Sequence, residues 1–218
     1  RQGSSSCPHP ASSLGPVSSA SSQPQGRVIL LRHGETEWSR SGQHTGATDL
    51  PLLPEGEQAA RDLAPRLAEL DVAAVYSSPL SRAVRTAELA GLTGLVIDDD
   101  LREWDYGGYE GLSTPQIREK IGNPTWEIFA DGVVPGDTPG ETVEDVAARA
   151  SHVLRRIYED RRRGDVVLAG HGHASRILTS VWLREEPRFG AKLQLDAGRL
   201  CILGQHHGIP TIERWNAR

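Results

Sequence analysis

Val28-Ile29-Leu30-Leu31-Arg32-His33-Gly34 decides how this chain is read. Four consecutive apolar residues have the length of a strand buried on both faces, and such strands belong to parallel sheets covered by helices. The run stops abruptly at an arginine, a histidine and a glycine. Alone, Arg-His-Gly is a weak signal, because a basic surface loop has the same letters. The ending recurs in Val166-Val167-Leu168-Ala169-Gly170-His171-Gly172. If both runs are parallel strands of one sheet, His33 and His171 emerge together at its carboxyl edge, where open α/β sheets bind ligands. Two histidines and an arginine held there suggest a phosphate pocket.

The flanking sequence extends this pattern. After the first strand comes a polar loop, Ser39 to Leu53, with glycines at 42 and 46. A helix is predicted from Pro54, with Ala60, Leu63, Leu67 and Leu70 on one face and a kink at Pro65. Val72–Tyr76 reads as a strand. Ser78 then suits an N-cap and Pro79 the first position of a helix running to Ala90, with Arg82 and Arg85 in its first two turns. Gly94–Ile97 is a short third strand, followed by loop as far as Gly111. Residues 112–140 read as short helical pieces inserted over the sheet edge. Val143 to Ile157 keep helical spacing, with Thr142 and Asp145 as a capping box. Asp165–Ala169 is the next strand, then a helix to about Arg184, and one or two edge strands lie within 191–204 and 209–215. This alternation predicts an α/β fold, a three-layer sandwich with a mostly parallel central sheet flanked by helices.

A chain of 218 residues suits one well-buried domain, placed here at 27–218. Residues 1–26 are rich in Ser, Pro, Gly and Gln and are expected to be a disordered tail without the apolar core of a secretory signal. A chain with no methionine is expected to have been trimmed from a longer product or to begin with added residues. The net charge of -5 gives no general drive toward nucleic acid or an anionic membrane, and no apolar stretch approaches a membrane span. Cys7 and Cys201 lie far apart and indicate no disulfide framework, which fits a reducing, cytoplasmic setting. Exposed edge strands near the C-terminus leave room for a homodimer.

Histidine beside arginine suits phosphoryl transfer through a covalent intermediate. A neutral imidazole can attack phosphorus in line, dividing one hard displacement into two easier ones. Charge then sits on three non-bridging oxygens, for which the planar fork of arginine is suited. Arg32, Arg82 and a protonated His171 can form that cage. A departing alkoxide also needs a proton, so a carboxylic acid should stand nearby.

These stretches, with Ser78-Pro-Leu-Ser-Arg-Ala-Val-Arg-Thr86, Leu101-Arg-Glu103, Gly140-Glu-Thr142 and Gly170-His-Gly172, resemble the motifs of the histidine phosphatase superfamily, in its phosphoglycerate-mutase-like branch, in order over residues 27–204. The resemblance implies that fold and no metal or other cofactor. It makes His33 the residue that is phosphorylated, Arg32, Arg82 and His171 its phosphate ligands, and Glu103 the acid. Thr45-Gly46 matches the loop that closes over substrate. Many members have Asn where this chain has Ser39, so one donor to the phosphate is weakened or replaced. The mutases carry an Arg-Arg pair in the insertion, whereas only Arg118 and Lys120 stand between Leu112 and Gly140. That argues for a phosphatase acting on a small phosphate ester, a sugar phosphate or bisphosphate, over a mutase, and an intact Glu103 argues against a non-catalytic phospholigand-binding module. Trp104 to Gly111 and Gly170-His-Gly-His173 are similar to two subgroups, actinobacterial acid phosphatases and fungal sugar-bisphosphate phosphatases.

Other residues carry plainer readings. His173 is a substrate contact or simply a helix-start residue, and a His171-x-His173 metal pair lacks a third ligand. Tyr106 is placed in the pocket, while Trp104, Tyr109 and Trp126 fit pocket or core equally. His44 is a substrate-loop residue or an ordinary loop histidine. Glu141 is explained by a helix start, Arg85 by the surface, His206-His207 by an exposed turn, and Asp98-Asp99-Asp100 by a solvated loop.

Overall fold

The structure is a computed structural model that describes residues 26–218. The expected disordered tail and Cys7 lie outside the described residues, except that Gly26 is held, its N–H donating to the Arg161 carbonyl at 2.9 Å. In chain order the elements are β1 (Val28–Arg32), α1 (Glu37–Ser41), α2 (Pro54–Asp62), α3 (Ala64–Ala68), β2 (Val72–Ser77), α4 (Ser81–Leu89) and β3 (Leu95–Ile97). Then follow α5 (Thr114–Ile121), α6 (Ile128–Asp131), α7 (Val143–Arg156), β4 (Asp165–Gly170), α8 (Gly172–Leu183), β5 (Leu200–His206) and β6 (Ile209–Ala217). One six-stranded sheet runs in the order β3-β2-β4-β1-β5-β6. Its first four strands are parallel, β5 is antiparallel to β1, and β6 is antiparallel to β5.

The apolar run of β1 is continuous because helices cover both faces of the sheet. Val28 and Leu30 face one core with Leu168, Val153 and Leu178, from β4, α7 and α8. Ile29 and Leu31 face the other with Val167, Leu63 and Ala87, from β4 and the α2–α4 side. A third cluster, including Trp104, Tyr106, Ile117 and Phe129, lies under the insertion. The three layers are those expected from the sequence. No helix of the described residues is long and apolar enough to cross a membrane.

Two local expectations are corrected. The helix from Pro54 does not kink at Pro65; it ends at Asp62, and Pro65 lies in the first turn of the separate helix α3. The helix after β2 begins at Ser81, with Leu80 at its N-cap, so Ser78 caps nothing there. The capping box of Thr142 and Asp145 on α7 is present.

Close approach explains a pair of glycines beside the first motif. A Cβ on Gly34 would lie 2.3 Å from the Gly56 carbonyl oxygen, and one on Gly56 would lie 2.4 Å from that of Glu35. The first turn of α2 thus presses directly on the turn that follows His33. Gly56→Ala should overpack this contact and lower the unfolding free energy by about 1–3 kcal/mol. Urea denaturation measures this; wild-type stability would mean that the turn yields freely.

Candidate active site

Parallel pairing sets Arg32 opposite Gly170, and the His33 N–H donates to the Gly170 carbonyl at 3.0 Å. The residues that follow, His33 and His171, therefore leave the sheet side by side, with ring centroids 5.2 Å apart. The second His-Gly step also admits the arginine, since a Cβ on Gly172 would lie 3.1 Å from the Arg32 guanidinium carbon.

His33 donates its Nδ1–H to the Gly34 carbonyl at 2.7 Å, because a carbonyl can only accept. That bond fixes the tautomer and leaves the Nε2 lone pair as the nucleophilic position. Burial first, then the positive charges of Arg32 and Arg82, hold His33 well below the usual 6.5. It is neutral, the form in which an imidazole can act as a nucleophile. His171 is shifted the same way, by burial and then by His33 and Arg82. In the ligand-free site this direction opposes the protonated form expected of His171, because the ring is buried among cations. Its Nε2 lies 2.7 Å from Ser78 Oγ, which also accepts the Leu80 N–H at 3.3 Å. Ser78 can donate its own proton to Nε2, leaving the proton on Nδ1 as a free donor.

Among the described residues, three buried side-chain nitrogens lack any partner: Arg32 Nε, Arg82 Nε and His171 Nδ1. All three belong to residues whose charge acts on His33 or on which His33 acts. Buried donors without acceptors are costly, and their convergence marks an anion site. Arg32 also donates through Nη1 to the Leu195 carbonyl. That segment is anchored by β6: Asp196 N donates to Asn216 Oδ1 and Asn216 Nδ2 to Asp196 Oδ2, both at 2.9 Å.

A cavity of about 290 Å³ opens over this group, lined by Arg32, His33, Ser39, Thr45, Glu103, Tyr106 and His173 from the expected set. Arg82, His171 and Gly46 are not among its lining residues; Gly46 lines a neighbouring cavity together with Glu103. Arg82 is fully buried and turns Nη1 to the Thr48 carbonyl, at 2.7 Å, and Nη2 to those of Thr45 and Gly46, at 3.1 and 3.0 Å. It therefore holds the 45–48 loop as well as facing the site. Ser39 reaches the cavity, but its hydroxyl is engaged in the capping box of α1, accepting from Thr36 N at 2.8 Å.

Glu103 stands at the cavity with both carboxylate oxygens fixed. Oε1 accepts from Trp104 N at 2.9 Å and Ala174 N at 2.8 Å, and Oε2 accepts from His173 N at 3.0 Å. His173 is thus both a helix-start residue and a cavity residue, and its Nδ1 shares a 2.6 Å hydrogen bond with Tyr106 Oη. His44 packs on Tyr106, ring centroids 4.8 Å apart, and burial lowers it to about 4. Trp104, Tyr109 and Trp126 are core residues. Arg85 pairs with Glu57 at the surface, and Asp98 and Asp100 pair with Arg156.

Three residues escaped the sequence reading. Arg176, three positions after His173 on α8, lines the cavity, with Nε bound to the Gly190 carbonyl at 2.9 Å. Its helical spacing from His173 was the available signal. Glu110 accepts from Gly46 N at 2.9 Å and Thr48 N at 3.0 Å, and so anchors the 45–48 loop. Arg149 braces the Glu103 segment. Nothing local in the sequence marks either of the last two.

A fixed neutral imidazole beside unpartnered guanidinium donors at a sheet edge is equipment for removing phosphoryl groups, and the chain is an enzyme of the phosphatase class. It belongs to the histidine phosphatase superfamily (branch 1), whose profile matches residues 28–218. An acid phosphatase of Mycobacterium tuberculosis is 40% identical over 186 residues, covering 84% of this chain and 88% of that protein. A sedoheptulose 1,7-bisphosphatase of Saccharomyces cerevisiae is 35% identical over 181 residues, covering 72% of this chain and 67% of that protein. The solved structure of an open reading frame product from Mycobacterium tuberculosis superposes with a TM-score of 0.81 at 36% identity, covering 88% of this chain and 97% of that one.

The downward shifts of His33 and His171 carry a sign. Each imidazole stays neutral as the pH falls through 6.5 and takes up a proton only well below it. Since the unfolded chain protonates first, stability should decline as the pH drops below that value. Proton NMR of the two rings should show no titration midpoint near 6.5 in the ligand-free protein; a midpoint there would overturn the neutral assignment.

Proposed function

We propose that this enzyme hydrolyses a small phosphate monoester through a phosphohistidine at His33. The observation that carries the proposal is the convergence of the unpartnered Arg32, Arg82 and His171 nitrogens on a histidine whose tautomer is fixed. His33 Nε2 attacks phosphorus in line. The N–P bond forms as the P–O bond to the alcohol breaks, and the three donors take the charge on the non-bridging oxygens. Glu103, at the cavity wall, gives its proton to the departing oxygen. Water then attacks the phosphohistidine, Glu103 takes its proton, and inorganic phosphate leaves.

Several features support a sugar phosphate or bisphosphate as substrate. The cavity has room for a small ester and is walled by polar rings, His44, Tyr106 and His173, suited to hydroxyl groups. Arg176 adds a cation beyond Arg32, where a second phosphate could be met. The names of the acid phosphatase and bisphosphatase relatives point the same way. Within the insertion, Arg118 binds the Trp126 carbonyl at 2.9 Å and does not line the cavity, which favours hydrolysis over mutase transfer. A cytoplasmic setting, the domain limits 27–218 and a homodimer belong to the same proposal.

The test is phosphate release from sugar mono- and bisphosphates, 3-phosphoglycerate and p-nitrophenyl phosphate. His33→Ala should lower release by more than about a thousandfold, and acid-labile label from a radioactive ester should appear on the wild type alone. Isotope exchange between phosphoglycerates with little release would replace the proposal by a mutase. Binding without turnover would replace it by a phospholigand-binding module.

A further inference from the structure

The ion pair of Arg149, on α7, with Glu141 does not line the cavity that holds His33 but a neighbouring one that it shares with Glu103, and its polar groups are turned on the segment that carries Glu103. Residues 103–106 belong to neither helix nor strand, so side chains must hold this backbone. Arg149 Nη1 donates to the carbonyls of Asp100, at 2.9 Å, and Arg102, at 2.6 Å. Nη2 donates to the carbonyl of Glu103 itself at 3.1 Å and to Glu141 Oε2 at 3.0 Å, while Nε donates to Glu141 Oε1 at 2.8 Å. An arginine has five N–H groups, and here all are committed.

Glu141 completes the brace from the other side. Its Oε2 accepts the Asp105 N–H at 3.0 Å, its carbonyl accepts Trp104 Nε1–H at 2.7 Å, and its N–H donates to the Asp105 carbonyl at 3.0 Å. The side chains are only 13% and 25% exposed, so the pair is not a screened surface contact. The Glu103 carboxylate is meanwhile pinned by the first turn of α8. Its two ends are therefore fixed by two different helices: the backbone by α7 through Arg149, the carboxylate by α8.

We infer that Arg149, braced by Glu141, is a positioning residue for the acid step: it sets where the Glu103 carboxyl meets the leaving oxygen. Lysine cannot substitute, since one ammonium cannot reach points so far apart. The inference rests on the proposed role of Glu103 and deepens it.

The leaving group provides a readout that a merely structural role would not move. Nitrophenolate departs without a proton, whereas an alkoxide needs one. The value of kcat/KM, which covers steps through departure of the alcohol, is compared for p-nitrophenyl phosphate and the fastest sugar phosphate or phosphoglycerate of the panel above. Arg149→Lys should lose about 10- to 100-fold on the alkyl ester and less than about threefold on the nitrophenyl ester. Equal losses on both, or none on either, would overturn the inference. Glu103→Gln, run alongside, should show the same split. If it loses both equally, the acid reading itself has failed; if it splits and Arg149→Lys does not, only the brace has failed. Should circular dichroism show Arg149→Lys unfolded, Glu141→Gln takes its place with the same expectation, and equal losses there would overturn the inference.

Discussion

The parallel pairing of β1 with β4 is the constraint on which the rest depends. Because Arg32 lies opposite Gly170, the two histidines that follow leave the sheet at one level and one edge. Side chains alternate along a strand, so a slip of one residue would exchange the two cores and turn His33 away from its partner. That register is protected by ordinary packing: Val28 and Leu30 fit the α7–α8 side, Ile29 and Leu31 the other. Geometry needed for chemistry is thus secured by hydrophobic burial on both faces, well away from the reacting atoms.

The site itself concentrates positive charge in a buried place. Arg32 and Arg82 are drawn below their usual range by burial, which the charge of Glu103 opposes. Neither guanidinium has a buried carboxylate as direct partner; backbone carbonyls of Leu195, Thr45, Gly46 and Thr48 accept hydrogen bonds from several of their N–H groups. Carbonyl dipoles offset part of the desolvation and leave net charge available to an anion. Burial, reinforced by the same charge, keeps the neighbouring imidazoles neutral in the ligand-free site. Enclosure of the arginines and neutrality of the histidines thus follow from one buried arrangement.

What the sequence disclosed follows from how far each signal reaches. The repeated strand-His-Gly ending was legible because it is local and because its glycines answer real crowding, at Gly34 against Gly56 and at Gly172 against Arg32. The amphipathic α7 and its capping box were legible for the same reason. Glu103 was reached through resemblance to a family, since nothing in Leu-Arg-Glu marks an acid. Ser78 was misread as a cap because a serine before proline looks the same whether its hydroxyl meets a helix N-terminus or a histidine 93 positions away. Glu110 and Arg149 stayed hidden because their partners come from other parts of the chain. A protonated His171 was expected because phosphate chemistry favours it; burial of the ring, which opposes it in the ligand-free site, is not legible in the sequence.

The anchoring of Arg32 has a consequence for the order in which the enzyme is made. Arg32 lies in β1, the first strand of the described residues, but its Nη1 is seated on Leu195, 163 residues later. The segment bearing Leu195 is in turn fastened by Asn216 in β6. Strand β1 also waits for β4 and β5 on either side. Contacts so distant along the chain form late, after the loop between them has been closed. A nascent chain that has emerged only through α7 contains His33 and Glu103, yet it lacks β4, His171 and the seat of Arg32. The grouping of Arg32, His33 and His171 therefore forms only after both β4 and the segment bearing Leu195 have joined the sheet.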